Sequence, residues 1–270
     1  MLIRELLLEG GKVFDDVGSI HQSEVLPTLR ELENRTGLKN LKDHMLGSTG
    51  KKQFSGDIDL SVDMPADELK QLLKQTFGNA VKQHGNTIHV MFPIASYDPQ
   101  KDLDQAIAQG RRRTGFIQVD FMLGDADWNK KYFYHSQSSK IPGKYRNILL
   151  ANVAAALRKT KDKGDYIETL GYVFSPKEGL SLRKRIQKKG QAKKTDEVLN
   201  STTDLNEIAK KLLGDAAKAS DLENVETLAA AIQKYLPHQA DAIFSNFANN
   251  EITSDHLDLE WPQPIKRAIG

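Results

Sequence analysis

Three aspartates stand where a strand pattern would otherwise call for neutral residues. In residues 57–62, Ile58, Leu60 and Val62 alternate with Asp57, Asp59 and Ser61, the period of a strand with one buried face. That period puts Asp57 and Asp59 on the same side, about 7 Å apart at Cα. A third acid, Asp120, interrupts the otherwise largely apolar run FIQVDFM. An acid on an apolar strand is costly unless it is paired, hydrogen-bonded or metal-bound. If the three converge, they form a hard oxygen cage for Mg²⁺ or Mn²⁺. Two such ions about 4 Å apart can hold both the attacking and the leaving oxygen of an in-line phosphoryl displacement. Upstream, Gly47 and Ser48, followed by Thr49, Gly50, Lys51 and Lys52, offer backbone N–H groups, a hydroxyl and cations to a polyphosphate. The structural alternative has Asp57 capping a turn, Asp59 facing water and Asp120 in an ion pair with a residue such as Arg113.

The elements that would position these residues follow from periodicity. A helix is expected over 23–34, with Val25, Leu29 and Leu32 on one face and Pro27 in its first turn. A short strand over 41–46, the polar glycine-bearing stretch 47–56 and the strand 57–62 come next. A helix over 66–77 should end at Gly78. Strands over 87–94 and 115–123 are separated by a polar connection that holds Arg111, Arg112 and Arg113. Beyond a polar loop over 136–144, residues 145–157 read as a buried helix and 166–175 as strand-like. The basic stretch 187–195, with Gly190, reads as a linker. From Asp196 onward the spacing turns helical, through Leu205, Ile208, Ala209 and Leu212, then Leu222, Val225, Leu228, Ala229 and Ile232.

At 270 residues, with 39% hydrophobic and 27% charged residues, the chain can bury a real core. No apolar stretch approaches the roughly 20 residues of a membrane span. The opening MLIRELLLEG lacks the uncharged core of a signal peptide. With no cysteine, disulfides, thiolate metal sites and a Cys nucleophile are excluded, and a reducing cytoplasm is the expected location. The formal net charge of +2 hides an asymmetry: residues 195–270 hold 6 basic against 13 acidic side chains, and residues 1–194 hold 32 against 23. The positive charge gathers in 111–113, 158–163 and 183–194, which suits a protein that handles phosphates. The histidines show no zinc-ligand spacing, and neither a G-x-x-x-x-G-K-[ST] nor a G-x-S-x-G string occurs, which disfavours zinc enzymes, P-loop proteins and serine hydrolases. His44 and His89 lie in expected strands and read as ordinary strand or core histidines.

The string LGSTGKKQFSGDIDLSV resembles the signature of the DNA polymerase beta-like nucleotidyltransferase superfamily: a hydrophobic residue, Gly-Ser, a short polar helix start, then Asp-x-Asp on a strand. FIQVDFM resembles the strand carrying that family's third carboxylate, and the likeness covers roughly residues 25–125. It implies an α+β fold, a nucleotidyltransferase-type mixed β-sheet flanked by helices and followed by a smaller helical C-terminal region. By the same resemblance Asp57 and Asp59 would ligate two Mg²⁺ or Mn²⁺ ions. Asp120 would ligate the catalytic one and accept or orient the proton of the incoming hydroxyl. Gly47 and Ser48 would bind the β and γ phosphates, with Lys51 as a basic helper. More loosely, YFYHSQSSKIPGKYRNILL is similar to the polymerase segment around nucleotide sugar and base, which adds Tyr132, Ser136, Arg146 and Asn147. For Arg146 and Asn147 the plainer reading is a solvated helix start.

The implied reaction moves an NMP or dNMP from a nucleoside triphosphate to a hydroxyl with release of pyrophosphate. A nucleic-acid 3′ end, on RNA including tRNA or on DNA, is the favoured acceptor. Transfer to a protein or small-molecule hydroxyl is the alternative, and a non-catalytic nucleic-acid-binding module is a third reading. The corresponding domain division is 1–145 for catalysis, 146–194 for a helix and basic segment closing it, and 195–270 for an acidic helical subdomain. Near the end, Trp261 between Glu260 and Pro262 reads either as a docking peptide or as a pin that holds the tail to the core.

Overall fold

The period-two segments of the first half pair with one another, and helices cover them. A computed structural model describes residues 13–47, 49–134, 136, 138–191, 194–252 and 259–269. By internal packing the chain divides into two units, residues 1–134 and 135–270.

In the first unit, β1 (Ile20–His21) runs directly into α1 (Gln22–Thr36). His21 caps the helix: its side chain accepts from the Ser23 N–H, while the Glu24 carboxylate accepts from the His21 N–H. Two otherwise unsatisfied donors are met reciprocally. The helix begins before residue 23, so Pro27 sits beyond the first turn and removes an interior hydrogen bond rather than a spare N–H. Buried Val25, Leu29 and Leu32 hold the helix in the same core cluster as Ile58, Val90, Val119 and Phe121, each fully buried large side chain contributing about 1.5–3 kcal/mol.

The strand expected over 41–46 is instead a 3₁₀ turn at Leu41–His44, and Met45 alone bridges to Leu60. Asn40 in the left-handed region (φ 58°) and the Leu41 N–H donating to Glu33 Oε1 at 2.7 Å pull this segment into a turn. Then follow β2 (Phe54–Ser55), which pairs with β1, β3 (Ile58–Ser61), α2 (Ala66–Phe77), β4 (Val81–His84), β5 (Thr87–Pro93), α3 (Leu103–Ala108), β6 (Phe116–Met122) and α4 (Ala126–Tyr132). The main sheet has the order β3-β6-β5-β4. Its β3 and β6 are parallel, whereas β5 is antiparallel to both β6 and β4. On α4, Asn129 donates to Ser61 Oγ (3.2 Å) and the Met122 carbonyl (3.4 Å), tying the ends of the two parallel strands together.

The second unit begins with α5 (Gly143–Ala156), buried along Ile148, Leu149, Leu150 and Val153. An antiparallel meander follows: β7 (Lys159–Lys163), β8 (Tyr166–Ser175), β9 (Gly179–Lys188) and β10 (Lys194–Thr202), in the order β10-β9-β8-β7. Of residues 187–195, expected as a linker, Gln187 and Lys188 end β9 while Lys194 and Thr195 begin β10, with Lys194 paired to Gln187, and residues 196–202, expected as the start of a helical region, are strand. β10 is exposed along nearly all its length, so pairing with β9, not an apolar stripe, decides its conformation. At the opposite end Gly179 (φ +70°) lies so close to the Thr202 carbonyl that a Cβ would clash with that oxygen. Then come α6 (Leu205–Leu213), α7 (Val225–Tyr235), α8 (Ala240–Glu251) and α9 (Gln263–Ile269). Trp261 is buried, its ring 5.0 Å from that of Tyr145 and 5.8 Å from that of Phe247, so it pins the tail to the core.

The molecule is therefore α+β. Among the described residues no helix is long and apolar enough to cross a membrane.

Candidate functional site

Strand register brings the acids together. Asp59 on β3 is level with Asp120 on the parallel strand β6, and Asp57 immediately precedes β3. One carboxylate oxygen from each of Asp57, Asp59 and Asp120 lies within 4.8 Å of the others. Asp120 is fully buried; Asp57 and Asp59 are half-buried. Like charges this close disfavour ionisation. Burial and then the Asp120 charge push the Asp57 carboxyl up to about 6, against the pull of Arg111 and His89. Burial, with Asp57 and Asp120 beside it, raises Asp59 well above the usual carboxylate range.

Asp120 is held at both oxygens. His89, directly across from it on β5, places Nδ1 2.8 Å from Oδ1, and Gln118 Nε2 donates to Oδ2 at 3.1 Å. Gln118 is itself oriented, because its Oε1 accepts from the Val13 N–H at 2.8 Å. Asp120 does not pair with Arg113, which makes a bidentate pair with buried Glu24 at 2.7 and 2.8 Å; the basic side chain beside Asp120 is His89. The three arginines of the triplet separate, with Arg112 donating to the Asp15 carbonyl and Arg111 acting on Asp57.

The glycine turn before β3 is clamped to the same strand. The Leu46 N–H donates to the Asp59 carbonyl at 2.9 Å, and the Asp59 N–H donates to Thr49 Oγ1 at 3.1 Å. Between these bonds Gly47 adopts φ +57°, the left-handed backbone that glycine favours, beside Asp59 Oδ2. Lys51 Nζ donates to the Gly47 carbonyl at 2.9 Å, which keeps its charge at this turn. Ser48 lies outside the described residues.

The remaining expected residues are placed differently. Tyr132, on α4, is buried with its ring against Trp128 and Phe133. Ser136, Arg146 and Asn147 belong to the second unit. Ser136 Oγ donates to Glu223 Oε1 at 3.1 Å. Arg146 and Asn147 are each 4% exposed, with Arg146 NH2 donating to Asn147 Oδ1 at 2.9 Å, so the solvated helix start is overturned. Sequence reasoning missed Gln118, read His89 as an ordinary strand or core histidine, and offered Thr49 and Arg111 only as groups for phosphate, not as neighbours of the acids. An apolar strand interrupted by His89 was the available signal, but its meaning depends on register with Asp120.

The three carboxylates supply the all-oxygen, multiply charged donor set that Mg²⁺ and Mn²⁺ favour. A cation there would offset the mutual repulsion that raises Asp57 and Asp59. No protein-family model and no curated protein matches the chain.

Proposed function

We propose that this protein is a divalent-metal-dependent nucleotidyltransferase with a nucleotidyltransferase-type fold, moving an NMP or dNMP from a nucleoside triphosphate to a hydroxyl and releasing pyrophosphate. The observation that carries the reading is the convergence of Asp57, Asp59 and Asp120 from two parallel strands, with oxygens within 4.8 Å, beside a glycine turn clamped to Asp59. The mixed sheet supports it, since its order puts the Asp-x-Asp strand next to the strand of the third acid.

In this reading Asp57 and Asp59 would hold two ions and Asp120 one of them, and bound ions would supply charge neutralisation at the reacting oxygens. Asp120, fixed by His89 and Gln118, accepts or orients the proton of the attacking hydroxyl. Gly47 and Ser48 receive the β and γ phosphates, and Lys51 adds positive charge beside them. Positioning and electrostatics carry most of the catalysis in this chemistry. A polynucleotide 3′ hydroxyl is the acceptor class that suits the excess of basic residues in 1–194.

The test incubates the chain with Mg²⁺ or Mn²⁺, nucleoside and deoxynucleoside triphosphates labelled at the α phosphate, and mixed RNA, DNA and cell lysate as acceptors. The expected result is label transfer by wild type and none by the Asp57→Ala, Asp59→Ala variant, with nuclease sensitivity of the product. Label that is sensitive only to protease would move the acceptor to a protein. No transfer under any condition would overturn the reading.

A further inference from the structure

The two faces of the meander sheet carry their positive charge differently. On one face Arg183 pairs with Glu178 and Asp196, and Arg185 with Asp196. On the other, register sets three rows across β7, β8 and β9. Lys163, Tyr166 and Lys188 form one, Lys161, Glu168 and Ile186 the next, and Lys159, Leu170 and Lys184 the third. Tyr166 and Leu170 are each flanked by a lysine on both neighbouring strands. They are exposed, at 45% and 37%, and so is Ile186, at 37%. Lys184 lies 3.5 Å from Glu168. Among the described residues, Lys159, Lys161, Lys163 and Lys188 make no ion pair.

Lysines on an edge strand often serve only to prevent edge-to-edge association, and β7 is such an edge. That role leaves Lys188 on the interior strand β9 unexplained, as it does the exposed ring of Tyr166. Alternate lysines on β7 lie roughly 7 Å apart and make a line of charge instead of a point. Its counterpart is a row of phosphates, and a ring between lysines offers a base something to stack on. The apolar side chains are interleaved singly with cations and form no continuous patch of the kind that inserts into a bilayer.

We infer that the β7-β8-β9 face bearing Lys159, Lys161, Lys163, Tyr166, Lys184 and Lys188 binds single-stranded nucleic acid. The lysines contact phosphates and Tyr166 stacks on a base. This names a surface for the acceptor of the proposed reaction and rests on that reading for its role in catalysis; the binding itself needs neither metal nor the aspartates.

The experiment measures binding of fluorescent 20-nucleotide oligo(U) and oligo(dT) to the full chain by anisotropy, in EDTA, across a salt series. Wild type and the Asp59→Asn variant should bind equally, which separates this surface from the catalytic site. Lys159→Glu, Lys161→Glu, Lys163→Glu together should weaken binding at least about tenfold at low salt. The same variant should flatten the log–log salt slope by about two, at roughly 0.7 per lost phosphate contact. Tyr166→Ala should weaken binding about tenfold with little change in slope. A matched reversal at exposed Lys39, Lys42 and Lys74 should do much less. In the unmutated chain, bound oligonucleotide should protect Lys159, Lys161, Lys163, Lys184 and Lys188 from an amine-acylating reagent. Absence of binding at low salt, an equal loss in the matched control, or protection confined to other lysines would overturn the inference. So would tighter binding to anionic lipid vesicles through these same lysines.

Discussion

The two four-stranded sheets handle charge in opposite ways. In β3, β5 and β6 the strands are mostly buried and apolar, and the acids are crowded together at Asp57, just before β3, and at Asp59 and Asp120. In β10-β9-β8-β7 the outer strands are exposed along nearly all their length, and charged residues are frequent, solvated or paired at the surface. Solvated charges cost little and contribute little. Burial and neighbouring like charge raise the Asp57 and Asp59 carboxyls, and carboxyls raised in this way oppose folding in the neutral range. The first sheet therefore keeps Asp57 and Asp59 at a thermodynamic cost, which a bound cation would offset on the proposed reading.

The largest test of this contrast is activity. Asp59→Asn should lower divalent-dependent nucleotidyl transfer on the order of 10⁴-fold, roughly 5 kcal/mol of transition-state stabilisation, measured by single-turnover label transfer. Retained turnover would remove Asp59 from the site. Next is the buried pair of the first unit, whose side chains are 2% and 4% exposed for Arg113 and Glu24. Arg113→Met leaves the Glu24 carboxylate buried without its main partner and should cost roughly 3–5 kcal/mol in urea unfolding. Burial raises the Glu24 pKa, but hydrogen bonds from Arg113, His21 and Asp98 outweigh that and hold it below 4.5. Its stabilisation is thus present above pH 4.5 and lost as pH falls through the lowered folded-state value. Urea unfolding at pH 7 and pH 3 should show that loss in wild type and a smaller one in Arg113→Met.

A subtler effect separates the roles of the acids. Asp120→Asn should abolish turnover while keeping nucleoside triphosphate affinity within about tenfold, ~1.4 kcal/mol, as read by fluorescent-nucleotide displacement. A larger loss of affinity would make Asp120 a binding residue. The smallest effect belongs to the second sheet: Arg185→Gln breaks a partly exposed pair with Asp196 and should change unfolding free energy by at most about 1 kcal/mol. A loss as large as that of Arg113→Met would erase the distinction between the sheets.

Much of the first sheet was legible because its signals are local. The alternation of Ile58, Leu60 and Val62 with acids, and Gly78 closing the helix from Ala66, need no knowledge of neighbours. β4 was missed because only Val81 of its four residues is buried, leaving no alternation to read. β10 was missed because its partner strand supplies what its own side chains do not. In the site, the three acids and Gly47 were readable from residue type and spacing. His89 and Gln118 were not, since their role exists only once β5 and β6 pair in this register. Tyr132 shows the converse: an aromatic in a suggestive segment is packed between Trp128 and Phe133, where neighbouring rings explain it.

The most direct test of the central claim is thermal unfolding of wild type and Asp59→Asn, with and without Mg²⁺ or Mn²⁺, between pH 5 and pH 7.5. Carboxyls whose folded-state pKa is raised bind protons more tightly in the folded chain, so metal-free wild type should lose stability as pH rises through about 6. At pH 7.5 the metal-free variant should melt above wild type by a few degrees, at about 2–4 °C per kcal/mol for a protein of this size. Divalent ion should raise the Tm of wild type and leave the variant unmoved. A variant less stable than wild type without metal, together with no metal-dependent shift in wild type, would make the three aspartates a structural cluster and contradict the account.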